Sequence, residues 1–212
     1  MPGILFPSKC VLCRRLLSAS ETELCHSCRT NAPEFLSAKR NIPFVAHWTA
    51  IWYYKDNVRA SIHRFKFYNA RGYADTYGRM LAMKLQHEAF DILTWTPVHF
   101  LRRLRRGYDQ SKLIAEAVAR ELGTSPVRTL KKIRHIAPQS TRKDAAHRRA
   151  NILGAYRVCD PEAIYGKRIL LIDDVLTTGA TASECAKCLL TAGAKEVILA
   201  VVAATAPHDK NK

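Results

Sequence analysis

The chain has 212 residues, 48% of them hydrophobic, with 34 Lys and Arg against 18 Asp and Glu, a formal charge of +16. That apolar share excludes a disordered polymer, and the length allows one sizeable core plus a small appendage. No apolar run approaches the roughly 18 residues of a membrane-spanning helix, and the opening MPGILFPSKC is too short and too soon interrupted for a signal peptide, so a cytoplasmic protein without a membrane span is expected. The excess of cations points to a polyanionic partner, either nucleic acid or a heavily phosphorylated small molecule.

Four of the seven cysteines form the first motif: Cys10-x2-Cys13, eleven residues, then Cys25-x2-Cys28. Each pair can make a knuckle that aims two thiolates at one point, and two knuckles complete a tetrahedral S4 site suited to Zn²⁺. Such a site has no open position and reads as structural. Metal would replace a core here, so losing it should cost the N-terminal module while leaving the rest largely folded. Arg14, Arg15 and Arg29 can offset the thiolate charge. Two disulfides, an iron centre or free thiols are the other readings. His26 is read as solvent-facing rather than as a ligand.

Residues 29–47, punctuated by Pro33 and Pro43, read as a connector. WTAIWYY (48–54) is a good strand, and Lys55-Asp56-Asn57 a turn after it. Residues 58–67 place Val58, Ile62, Phe65 and Ser61 on one helical face and Arg59, His63 and Lys66 on the other; 73–87 continue as a helix through Tyr77, Leu81 and Leu85. Trp48, Trp52, Tyr53 and Tyr54 are either core or a base-stacking platform.

Residues 91–98 give a second strand, followed by a basic loop containing Arg102, Arg103, Arg105 and Arg106 before Gly107. From Asp109 the pattern is helical, with Leu113, Ile114, Ala117, Val118, Glu121 and Leu122 marking the buried stripe, Glu121 the polar exception at its edge. In a doubly wound sheet this βα loop lies on the ligand side. Residues 127–133 read as an edge strand or an irregular extension, and 134–151 lack any long apolar stretch. Between residues 99 and 157 fifteen Lys and Arg face four acids, so this segment holds most of the molecule's charge. Residues 182–202 read as a helix, buried through Ala182, Cys185, Ala186, Leu189 and Leu190, then a core strand. Cys185 and Cys188 are small hydrophobes within it.

The most informative segment is ILLIDDVLTTGAT, residues 169–181. Ile169 to Ile172 fit a buried parallel strand that ends on Asp173 and Asp174. Val175 and Leu176 follow, then the hydroxyl-rich turn Thr177-Thr178-Gly179-Ala180-Thr181. Backbone N–H groups, a tight turn and hydroxyl donors make an anion site at a strand's carboxyl end. Two acids do not suit a bare phosphate; they suit a ligand that also carries a sugar diol or a bound Mg²⁺.

This segment resembles the signature of the type I phosphoribosyltransferases. With Pro97-Val98-His99, the run Arg103-Leu104-Arg105-Arg106-Gly107-Tyr108-Asp109-Gln110 and the four-cysteine module, nearly the whole chain resembles the ComF family of competence proteins. The resemblance implies an α/β, doubly wound, mostly parallel sheet with a small N-terminal zinc module, divided as 1–40, 41–205 and a flexible tail, 206–212. It implies that Asp173 and Asp174 take the ribose hydroxyls of phosphoribosyl pyrophosphate (PRPP), and that Val175, Leu176 and residues 177–181 wrap its 5′-phosphate. Ala180 and His99 stand where the family usually has glycine and proline. Pyrophosphate, with Mg²⁺, would lie by Arg105 and Arg106.

Residues 134–151 would then be a closing hood, matched loosely through Gln139, Arg142, Lys143, Arg149 and Asn151. Arg142 and Lys143 would join the acids as catalytic candidates by meeting the leaving pyrophosphate. The broad basic surface (Arg102, Arg103, Lys131, Lys132, Arg148, Arg149) implies single-stranded DNA and a role in natural transformation, alongside other DNA-uptake or recombination proteins. A small-molecule phosphoribosyltransferase and a non-catalytic PRPP-sensing scaffold are the alternatives. The acceptor and the oligomeric state are not specified by the sequence.

Overall fold

The computed structural model describes residues 8–36, 40–134 and 152–206, with the side chains of Arg102 and Arg105 outside that description. Four parallel strands form the main sheet: β1 (His47–Tyr53), β2 (Ile92–Trp95), β5 (Arg168–Leu176) and β6 (Glu196–Ala204), in the order β1-β6-β5-β2. A parallel neighbour needs a crossover connection, and helices supply it. Helices α2 (Asp56–Phe67) and α3 (Tyr73–Leu85) lie between β1 and β2 in the chain. Helices α4 (Phe100–Arg106) and α5 (Gln110–Glu121) follow β2, and α7 (Ala180–Thr191) joins β5 to β6. The antiparallel pair β3 (Leu130–Lys132) and β4 (Tyr156–Val158), and the short helix α6 (Pro161–Ile164), precede β5.

Strand periodicity divides the core in two. Leu170, Ile172, Ile198, Ala200 and Val202 face a layer of α2, α3 and α5 built on Val58, Ile62, Phe65, Tyr77, Leu81, Ile114 and Val118. Their sequence neighbours Ile169, Leu171, Val197, Leu199 and Val201 face Cys185, Ala186 and Leu189 of α7, with Ile164, Leu130 and Tyr156. Both faces are covered, which is why these strands are apolar runs rather than alternations. Each such Leu or Ile contributes about 1.5–3 kcal/mol by leaving water.

The N-terminal module does not stand apart. Cys10, Val11, Leu12, Leu24, Cys25 and Cys28 belong to the same buried cluster as α2 and α3. Ser61 Oγ donates to the Val11 carbonyl at 2.6 Å, and Arg64 Nη2 donates to the Val11 and Leu12 carbonyls at 3.0 and 2.5 Å. The segment read as a connector contains the end of helix α1 (His26–Asn31), and it buries Phe35, Ile42 and Val45 against the opposite layer.

Several expected elements take a different form. The basic loop after β2 is a helix, α4: its Leu and Arg are good helix formers, His99 Nδ1 accepts from Leu101 N at 3.3 Å, and Gly107 closes it in the left-handed region at φ +78°. The turn at 55–57 shrinks to Lys55, because α2 already starts at Asp56. The strand expected to end at Ile172 runs on to Leu176, since β6 continues beside it and pairs Asp173 with Val201 and Leu176 with Ala204. On α5, Glu121 is exposed and Gln110 and Ser111 are buried instead. The edge strand at 127–133 narrows to β3, in a small sheet of its own. Trp48 and Trp52 are core, and Tyr53 packs on Phe35. Expectations for residues 135–151, including the hood, lie outside the described residues, as does the tail from 207.

Candidate functional site

The carboxyl ends of β2 and β5 open into a cleft of about 350 Å³. All nine residues from Asp173 to Thr181 line it, with Pro97, Val98, His99 and Arg106 from the β2 side. Lys66, Ser111, Lys132, Tyr54 and Tyr156 complete the walls. Ligands of open α/β sheets sit at this end of the strands.

The acid pair is held from three elements. Ser111 Oγ, near the start of α5, donates to Asp173 Oδ1 at 2.8 Å, and Asp174 N donates to the same oxygen at 2.8 Å. Lys66 Nζ of α2 lies 2.9 Å from Asp174 Oδ1, although helical spacing put Lys66 on the face turned from the core. It serves both descriptions, because the helix ends where its rim reaches the cleft. Burial, and next the charge of Asp174, push the Asp173 carboxyl up to about 7, against the opposing Ser111, Asp174 N–H and Lys66 contacts. Paired carboxyls at this spacing suit hydroxyl donors or a cation better than a bare anion.

The turn after them is tied at both ends. Thr205, beyond β6, donates through its N and Oγ1 to Leu176 O at 2.9 and 3.4 Å, and through Oγ1 to Thr177 O at 3.2 Å. Thr178 Oγ1 accepts from Ala180 N at 3.4 Å. Gly179 has φ +79°, a left-handed backbone that favours glycine, and a Cβ there would also press on Arg40 Nη2 at 3.0 Å. The N-terminus of α7 follows at once, which favours negative charge in front of it.

On the opposite wall, Asp109 fixes the 97–99 segment. Its carboxylate accepts from Val98 N and from Lys112 N, both at 3.2 Å, so one side chain caps α5 and restrains the loop. Burial raises its pKa, against those two hydrogen bonds. Arg106 Nη1 donates to Gln110 Oε1 at 2.9 Å, and Lys132 Nζ to Tyr156 Oη at 3.1 Å.

Of the residues singled out in the sequence, 173–181 and Arg106 share this cleft. Lys132, read as a nucleic-acid contact, lines it too. Arg103 lies over Phe100 and faces a neighbouring cleft of about 420 Å³ that also holds Lys112, Arg128 and Lys132. Lys131 lies on β3 and lines neither cleft. Arg142, Lys143, Arg148 and Arg149 fall outside the described residues. Sequence reasoning missed Lys66, Ser111 and Thr205, which tertiary packing brings in; Asp109 stood at the expected helix start and in the quoted 103–110 run, but without a role at the cleft.

The second site is the cysteine cluster. The Sγ atoms of Cys10, Cys13, Cys25 and Cys28 all lie within 4.8 Å of one another. A tetrahedral metal with bonds of about 2.3 Å needs sulfur separations of about 3.8 Å, so the four thiols fit one ion. They converge rather than pair: Cys13 and Cys25 Sγ are 3.6 Å apart, and Cys28 N donates to Cys25 Sγ at 3.4 Å. Burial pushes the Cys10 thiol up, but backbone hydrogen bonds from Cys13, Cys25 and Leu12 outweigh it and bring it to about 7. His26 is exposed and outside the cluster, and Arg15 pairs with Glu21 at 2.8 Å beside it.

A sheet of this order, whose central strand ends in an acid pair, a hydroxyl-bearing turn and a helix N-terminus, defines a doubly wound α/β protein with its candidate cleft at the carboxyl ends of the strands. Residues 93–212 match the phosphoribosyl transferase domain family, and the chain belongs to it. Over more of its length it is distantly similar to Competence protein F of Haemophilus influenzae, 26% identical over 91% of this chain and 95% of that protein. It is 28% identical to DNA utilization protein YhgH of Escherichia coli O157:H7, over 89% of this chain and 86% of that one. Among solved structures it matches the allosteric regulatory enzyme of purine biosynthesis at 23% identity and a TM-score of 0.45, over 62% of this chain and only 25% of that one. Among the described residues no helix is long and apolar enough to cross a membrane.

Proposed function

We propose that the cleft binds PRPP with Mg²⁺, and that the chain also binds single-stranded DNA and acts on imported DNA in the manner its relatives' names suggest. The observation that carries this is the meeting of Asp173 and Asp174 with residues 177–181 and the 97–99 segment in one cleft. In this reading the acids accept the ribose hydroxyls, the turn and the start of α7 hold the 5′-phosphate, and Arg106 and Lys132 face the pyrophosphate. Mg²⁺ would neutralise charge on that pyrophosphate. The competence and DNA-utilization names of the relatives support the DNA half, as does the charge of +16.

If the chain turns over, a nucleophile attacks C1′ of PRPP, the C1′–O bond breaks and pyrophosphate leaves. Arg142 and Lys143 would then meet the growing negative charge, and Arg142→Ala or Lys143→Ala should lower kcat more than affinity, by roughly a hundredfold. The four cysteines would hold one structural Zn²⁺, for which their all-thiolate geometry is suited.

Calorimetric titration of PRPP and Mg²⁺ into wild-type and Asp173→Ala protein tests the central assignment. Tight binding that the variant loses supports it, and equal affinity in both removes it. Pyrophosphate release, followed with DNA, nucleobases, ammonia and water as acceptors, separates an enzyme from a PRPP sensor.

A further inference from the structure

Helix α2 ends in a surface that its buried stripe does not explain. Arg59, His63 and Phe67 recur at every fourth residue and are all exposed. An outward helix face normally carries charge and short polar groups. Here it ends on Phe67, 57% exposed, and Tyr68, 70% exposed. The His63 ring lies 4.8 Å from Phe67 and 5.7 Å from Tyr68, so three rings cluster in solvent. The Arg106 guanidinium sits 4.8 Å from the Phe67 ring centroid, and Arg71 sits 4.9 Å from that of Tyr108. Arg106 and Lys66 also line the main cleft, so this aromatic cluster and the cleft share a rim.

Exposed ring faces interleaved with guanidinium groups are the combination that holds unpaired bases. Each base offers a π-face to the rings, its phosphate meets the cations, and no base-specific hydrogen bond is required. Double-stranded DNA would hide its base faces, and an acidic protein would not need the rings. We infer that single-stranded DNA docks at the carboxyl end of α2, with bases stacked on Phe67 and Tyr68 beside His63 and with phosphates along Arg59 and Arg71. The inference rests on the nucleic-acid reading above. It puts the stacking platform on Phe67 and Tyr68 instead of the Trp48–Tyr54 aromatics, two of which are core, and sets the strand at the edge of the PRPP cleft.

The test is fluorescence anisotropy of a labelled thymidine oligomer of about 15 nucleotides, at about 50 mM salt and upward. The double variant Phe67→Ala/Tyr68→Ala should bind roughly ten- to a hundredfold more weakly, with an unchanged salt slope, because stacking is lost and phosphate contacts remain. Arg59→Gln should instead lower the slope by about 0.7, one phosphate contact on a single strand. Unchanged PRPP titration and thermal melting in each variant show that the loss is local. Should the double variant not fold, Phe67→Trp answers the same question: oligomer should quench the introduced exposed indole along the binding curve, since the native Trp48, Trp52 and Trp95 are buried.

Affinity of the folded double variant within twofold of wild type, or an indole blind to oligomer, overturns the site while leaving DNA binding elsewhere intact. Tighter binding of a uridine oligomer than of thymidine overturns the choice of DNA. A wild-type chain that binds neither removes both this site and the nucleic-acid half of the proposed function, and leaves the PRPP half to its own titration.

Discussion

Lys66 Nζ and Asp174 Oδ1 stand 2.9 Å apart and join the end of α2 to the end of β5 across the cleft. The side chains are 22% and 14% exposed, so water screens the pair only in part. Removing the lysine alone takes the ion-pair partner from Asp174, whose carboxylate stays largely buried beside Asp173. Lys66→Ala should therefore destabilise the chain by about 1–3 kcal/mol, less than for a fully buried pair. Urea unfolding measures this, and Lys66→Ala/Asp174→Asn should recover most of the loss. Strictly additive losses in the two single variants and the double would show that the pair is not coupled.

The pH dependence of stability should report Asp173. Its carboxyl is held at about 7 in the folded chain, against an ordinary value of 3.8. Between those values the folded chain keeps a proton that the unfolded chain has released. Stability from this group therefore falls as pH rises through that window, and the loss is complete above about 7. Asp173→Asn removes the titration and can keep the Ser111 contact. Without ligand, its melting temperature should change less than that of wild type between about pH 5 and about pH 8, and its advantage should be largest at the upper end. Parallel pH profiles for the two proteins would contradict the raised value.

Helices α3 and α5 approach closely at Gly78. A Cβ there would lie 2.3 Å from Ala117 Cβ and 2.8 Å from the Ala117 carbonyl carbon. Neither neighbour is the end of a flexible side chain, so the helices must separate. Gly78→Ala should cost about 1–3 kcal/mol by overpacking. Gly72→Ala is the matched control: nothing lies within 4 Å of its Cβ, its backbone is helical, and it should be neutral or stabilising by up to about 1 kcal/mol. Equal denaturation midpoints for the two variants would show that the α3–α5 contact yields.

The parts legible in the sequence are those written locally. Apolar runs such as Ile169–Ile172 carry parallel strands, and the spacing of four and then three residues at Val58, Ile62 and Phe65 carries a helix face; the acid pair and the 177–181 turn are close in sequence. What stayed hidden is set by distance along the chain. Ser111 reaches Asp173 across 62 residues, and Ser61 reaches Val11 across 50. Ser61 falls on the buried helical face, but nothing near it names Val11 as its partner, and nothing near Ser111 sets it apart from an exposed serine. Arginine-rich FLRRLRR read as a loop because its charge masked sound helix propensity, and exposed aromatics such as Phe67 and Tyr68 could be told from core aromatics only once α2 had a buried side.

The cysteine cluster should matter beyond its own segment. Metal analysis of purified protein is expected to give about one zinc per chain, and Cys25→Ser/Cys28→Ser to abolish it. Without the metal the knuckles lose what folds them. The Val11 and Leu12 carbonyls then no longer receive Ser61 and Arg64, and Val11, Leu12 and Leu24 no longer cover α2 and α3. The sheet should remain folded, yet lose about 3 kcal/mol or more of stability through uncovered apolar surface and the lost Ser61 and Arg64 hydrogen bonds to the Val11 and Leu12 carbonyls. Hydrogen exchange locates the effect: protection should fall along α2 and α3 and persist in β5 and β6. A zinc-free variant with wild-type unfolding midpoint and unchanged α2 protection would make residues 8–36 an appendage whose contacts contribute nothing to the α/β core.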